Sequence, residues 1–131
     1  MRRMLERLRD MLRSAAIGRA LTRAVRAYRD GDLSRARAAV DEVVTATQSR
    51  GSPSQETHRR SMRLMAVALR AEVAAKQGDD AVARACIEEG FGLWAGLREH
   101  PTAMGPRSVE SFESWERWAR DWLERSRAGA P

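Results

Sequence analysis

The sequence predicts an all-α domain, and three observations predict it. Helix-forming residues dominate throughout. Aromatic residues are only 5% of the chain and β-branched residues are scattered instead of alternating, so no stretch reads as a strand. Apolar residues recur at three- and four-residue spacing in successive stretches, separated by short runs rich in Gly, Asp, Ser and Pro. At 131 residues with 43% apolar content, the chain is one domain, 1–131, able to bury a core.

Residues 1–13 place Met1, Met4, Leu5, Leu8, Met11 and Leu12 on one face, with Arg2, Arg3, Arg7, Arg9 and Arg13 around the rest. This spacing predicts a basic amphipathic helix over 1–14. Residues 15–29 either continue it or restart it near Ser14 and Gly18, where helix propensity weakens. At "RDGD", Gly31 suits the left-handed position that ends a helix, and Asp32 can cap the next. Leu33, Ala36, Val40, Val43 and Val44 then define an inward stripe on a helix over 33–48.

"SRGSPSQ" is a loop with good start chemistry: Ser52 as cap, Pro53 at the first helical position and Gln55 at the capping-box site. The helix expected over 53–77 is apolar on two sides. Met62, Met65, Ala66, Leu69 and Val73 lie on one, Leu64, Val67, Ala68, Ala71 and Ala75 on the other, as befits a central helix. Gly78 and Asp79 repeat the stop-and-cap device before a helix over 80–98. Gly90, Gly92 and Gly96 inside it imply either a break or a neighbouring backbone that needs the space. After "EHPTAMGPR" a last helix, 107–127, carries Val109, Phe112, Trp115, Trp118, Ala119, Trp122 and Leu123.

"AYRDGDLSRAR" at 27–37 and "AAKQGDDAVAR" at 74–84 are one pattern written twice. Superposing Gly31 on Gly78 also matches Ala24 with Ala71, Ala27 with Ala74, Ala36 with Ala83, Arg37 with Arg84 and Val40 with Ile87. Two antiparallel helices joined by so short a turn approach closely beside it, which favours Ala there. A repeated helix–turn–helix unit implies that neighbours stack to bury faces one unit cannot bury alone.

On these residues, over roughly 17–47 and 64–94, the chain resembles the tetratricopeptide-repeat (TPR) family. A small residue in the first helix (Ala24, Ala71), a Gly-Asp turn, and a small then a large apolar residue after it (Ala36 and Val40, Ala83 and Ile87) follow that family's pattern. The copies lie 47 residues apart against about 34 in the family, and the family's first-helix aromatic and Leu positions and closing Pro are not kept. The resemblance implies a TPR-like stack of two antiparallel hairpins, 15–48 and 53–98, with 107–127 as a capping helix. An ordinary helical bundle with two similar Gly turns stands beside it. The resemblance further implies a concave surface on 15–29 and 56–77, with Arg19, Arg23, Arg26, Arg59, Arg63 and Arg70 as polar contacts for an acidic peptide or partner helix. The alternative for those Arg is a solvated face.

The net charge is +6, and of 24 basic residues only Lys76 is Lys. So strong an Arg skew beside many Ala is the mark of a GC-rich, bacterial-like genome as much as of a nucleic-acid surface. The charge is uneven: residues 1–37 hold 11 Arg against 4 acids, net +7, whereas the remainder nets −1. No run is long and apolar enough to cross a bilayer, and the charged N-terminus lacks the apolar core of a secretory signal. The expected location is cytoplasmic, in keeping with a single cysteine, Cys86, expected as a small buried hydrophobe.

No enzyme, cofactor or metal is expected. His58 and His100 have no second His or Cys at ligand spacing, "GFGLWAG" lacks the strand and the Lys-Ser/Thr ending of a phosphate loop, and no nucleophile–base pair stands out. Trp115, Trp118 and Trp122 form a stripe that either seals the end of the stack or leaves Trp118 at an interface. The face Met4, Leu5, Leu8, Met11 and Leu12 has three readings: packing on the domain, docking to a partner helix, or lying on an anionic membrane or nucleic acid. The leading expectation is a non-enzymatic adaptor, scaffold or chaperone-like module that binds another protein. The alternative is Arg-driven binding of nucleic acid or an anionic membrane through the basic N-terminal third. A homodimer built on the N-terminal helix or the Trp face is compatible with either.

Overall fold

The computed structural model describes residues 2–48, 55–99 and 106–128. Five helices account for them: α1 (Arg2–Arg29), α2 (Leu33–Ala46), α3 (Glu56–Lys76), α4 (Asp80–Arg98) and α5 (Pro106–Ala128). No strand occurs among the described residues. The all-α expectation holds, with boundaries within a few residues of those read from the sequence. Ser52 and Pro53, expected to start the third helix, lie outside the described residues, as does His100.

Residues 1–13 and 15–29 do not form two helices, because α1 runs unbroken through Ser14 and Gly18. Gly18 carries a propensity cost of about 1 kcal/mol. Burial of Ile17, Ala20 and Ala24 against Val40, Val43 and Met62 on α2 and α3 outweighs it. The two Gly turns are geometrically alike, as the repeat demands. Gly31 and Gly78 sit at φ 78° and 77°. The Asp32 amide donates to Ala27 O and the Asp79 amide to Ala74 O, both at 2.9 Å, closing the loop typical of a helix ended by Gly. Asp32 then accepts from the Arg35 amide and Asp79 from the Val82 amide, capping α2 and α4. Next to the first turn, Ala27, Ala36 and Val73 meet in one buried cluster.

α1 packs on α2, α2 on α3 and α3 on α4, while α5 lies against α3 and α4. α3 is the centre, as its two apolar sides predicted. One side joins the cluster with α1 and α2. The other meets Ile87, Cys86, Trp115 and Ala119. Gly90 is buried inside an unbroken α4, and what it accommodates is an aromatic ring, not a backbone. A Cβ there would stand 2.5 Å from Trp115 Cη2.

The start of α3 carries a local acid-sensitive tie. Glu56 accepts from Arg59 Nε at 2.9 Å and Nη2 at 2.7 Å, and from Arg60 Nε at 3.2 Å. The Arg59 hydrogen bonds lead in holding its carboxyl at about 2, well below the ordinary 4.5. A carboxyl lowered on folding stabilises the native state above its unfolded value, and that contribution is lost as pH falls through the folded one. Thermal melts of Glu56→Gln should therefore show a shallower fall in stability between 4.5 and about 2 than the parent chain. Parallel acid limbs in the two proteins would contradict this.

Candidate functional site

Helices α1, α3 and α5 wall a groove of about 810 Å³. α1 contributes Gly18, Leu21, Thr22 and Val25; α3 contributes Met62, Met65 and Leu69; α5 contributes Phe112 and Trp115. The groove exists because α1 and α3 both pack on α2, which leaves their outer sides as neighbours, and α5 folds back beside α3. Val25 and Met65 keep 37% and 38% of their surface exposed there, an unusual state for apolar side chains with a core beside them. Trp115 fixes the α5 wall: its indole N–H donates to Ala68 O at 3.2 Å, and its ring meets Phe91 edge-on at 5.8 Å.

The charged lining is asymmetric. Arg26, Arg29 and Arg107 line the groove. All three are exposed, and among the described residues none of their guanidinium groups makes a hydrogen bond or ion pair. Among the described residues Glu72 is the one carboxyl in the lining. Burial pushes its pKa up while nearby Lys76 pulls it down. Three Arg against one carboxyl make the described lining net positive.

The six Arg singled out from the sequence do not share one face. Arg26 lines the groove and Arg19 is exposed on α1. Arg23 turns toward α2 and pairs with Glu42 at 2.8 Å, both side chains 63% exposed, where such a pair contributes little. Arg59, Arg63 and Arg70 lie on the far side of α3. Arg59 donates to Thr47 O at 2.6 Å and binds Glu56. Arg63 binds Glu89 through Nε at 2.5 Å and donates to Val44 O at 3.0 Å, tying α2, α3 and α4 together. Arg70 Nε lies 2.9 Å from Asp41 Oδ1, without the alignment of a hydrogen bond. These three tie the helices to one another. Trp118 is half-buried against the cluster of Val67, Ala71, Ile87 and Trp115.

The sequence reading missed Arg29, Glu72 and Arg107, and it placed Met65 with the inward residues. The signal was present in the breadth of the apolar arc on α3, which exceeds what α2 and α4 cover. At the other end of α1, Met4, Leu5, Leu8, Met11 and Leu12 are 49–71% exposed. Cys86 is buried, and burial pushes its thiol up, as fits a core residue. Among the described residues no three His, Cys, Asp or Glu come together as a metal site, and no helix is long and apolar enough to cross a membrane. Comparisons with protein-family models, with curated proteins and with solved structures find no match to this chain.

Proposed function

We propose that this chain is a non-enzymatic interaction module that holds an acidic amphipathic helix of another protein in the α1–α3–α5 groove. The observation that carries the reading is an apolar floor edged by three Arg without ion pairs among the described residues. An apolar stripe on the partner would cover Val25, Met65 and Leu69, and its carboxylates would meet Arg26, Arg29 and Arg107. Guanidinium groups suit carboxylates through bidentate pairing. The TPR-like reading of the architecture belongs here too. It is supported by the repeated Gly-Asp turns and by the first helix of each unit, α1 and α3, lining the groove while α2 and α4 lie behind.

The probe is a labelled 14-residue synthetic helix with Leu on one face and Glu on the other, followed by anisotropy. Binding should weaken with salt, because the rim pairs are screened. The double reversal Arg26→Glu with Arg107→Glu should lower affinity by about tenfold, since attraction at two rim positions becomes repulsion. Equal binding by the parent and the double variant would count against the groove.

A further inference from the structure

We infer that Glu72 sets the register of the helix held in the groove by requiring one Lys or Arg within that helix's otherwise apolar stripe. The inference rests on the groove reading above and adds the partner's single basic position. Glu72 lies in the lining one turn after Leu69, among residues that an apolar stripe would cover.

The duplicated unit indicates that the fold does not ask for a carboxylate at this place. The two copies lie 47 residues apart, and the same positions of both line the groove. Leu21 corresponds to Ala68, Thr22 to Leu69, and Val25 to Glu72. One unit therefore keeps an apolar floor at a place where the other interrupts it with a charge.

That charge has no direct partner in the groove as it stands. Glu72 is half-buried, and among the described residues its carboxyl makes no hydrogen bond or ion pair. Lys76, one turn further along α3, attracts it without pairing, and its Nζ lies 4.6 Å from the centre of the Tyr28 ring. Arg26 and Arg29 from α1 and Arg107 from α5 line the same groove without bonding to it. Burial already disfavours the charged form of Glu72. A helix laid over the groove would remove its remaining water. Facing Leu, the carboxylate would be stranded, and an unpaired buried charge is strongly disfavoured. Facing Lys or Arg, it would accept a charge-assisted hydrogen bond. A proton could neutralise it instead, but Lys76 and the three rim Arg oppose that. Stranding the carboxylate in every wrong register is a penalty of the kind that creates specificity.

The test uses the full chain and the 14-residue acidic helix, with a set of forms in which each Leu in turn becomes Lys. Exchanging Leu for Lys forfeits apolar burial, so most forms should bind more weakly than the all-Leu helix. One form should instead bind at least tenfold more tightly than the rest of the set, and no more weakly than the all-Leu helix. Glu72→Gln should melt as the parent does, bind the all-Leu helix at least as tightly, and show no favoured Lys position. Glu72→Lys should prefer Glu over Lys at the position that the parent favours. A set with no favoured member, or a favoured member that survives in Glu72→Gln, would overturn the inference and leave the groove standing. All-Leu binding that tightens from pH 7 to 5.5 in the parent alone, with no favoured Lys, would assign the neutralising charge to a proton and overturn it too. Failure of the all-Leu helix and the whole set would remove the groove reading itself.

Discussion

Trp94→Ala is expected to lower the stability of the domain by about 3–5 kcal/mol, the range for removing a large aromatic from a core. Trp94 is 2% exposed and packs with Leu64, Leu97 and Phe112. Its ring lies 5.5 Å from that of Phe112, and the Arg98 guanidinium covers it at 4.9 Å. The site joins α3, α4 and α5, so little can collapse into the space. Among the described residues the buried indole N–H has no hydrogen-bond partner. Trp94→Phe removes that orphan donor together with part of the ring, and the two effects oppose each other. Denaturant titration should show Trp94→Phe losing less than half of what Trp94→Ala loses. Comparable losses in the two variants would show that the whole indole volume, and not aromatic packing in general, is required.

Gly90→Ala carries the second large effect, with a sign opposite to that of a helical Gly in open space. Replacing Gly by Ala inside a helix ordinarily gains about 1 kcal/mol. At Gly90 the new methyl would meet Trp115 Cη2 at 2.5 Å and two further ring carbons at 3.2 Å. The indole cannot easily step aside, since its N–H is held by Ala68 O and its ring by Phe91. Overpacking of this kind costs about 1–3 kcal/mol and here exceeds the propensity gain. Gly92 is the internal control: it lies in the same helix with nothing within 4 Å of its would-be Cβ. Gly92→Ala should stabilise by about 0.5–1 kcal/mol. Two stabilised variants would mean that Trp115 does not press on α4. The two Gly also show why the sequence alone could not rank them, for both appear simply as poor helix formers.

Much of the fold was legible because it is local. Gly31 and Gly78 end helices through their own positive φ, and Asp32 and Asp79 start the next through hydrogen bonds three residues ahead. Such interactions span one turn of chain and leave their mark in adjacent letters. Less of the candidate site was legible. Arg26 stood out from the sequence and lines the groove. Arg59, Arg63 and Arg70 stood out equally, yet their partners are Thr47, Glu56, Glu89 and Asp41, of which only Glu56 lies on their own helix. An Arg on a helix looks the same in sequence whether its carboxylate comes from the next helix or from another protein.

The sequence by itself determined the all-helical class, the two Gly turns, the duplicated unit and the basic amphipathic start of α1, while it left open whether residues 1–29 form one helix or two. Only tertiary structure decided which of α3's apolar arcs is sealed and which opens into a groove. It also decided that Gly90 makes room for an indole and that Leu5, Leu8 and Leu12 stand uncovered. The physical reason is range. Capping and periodicity act within a few residues, whereas burial depends on which helix arrives alongside, and α2, ending at Ala46, stops short of the first turns of α1.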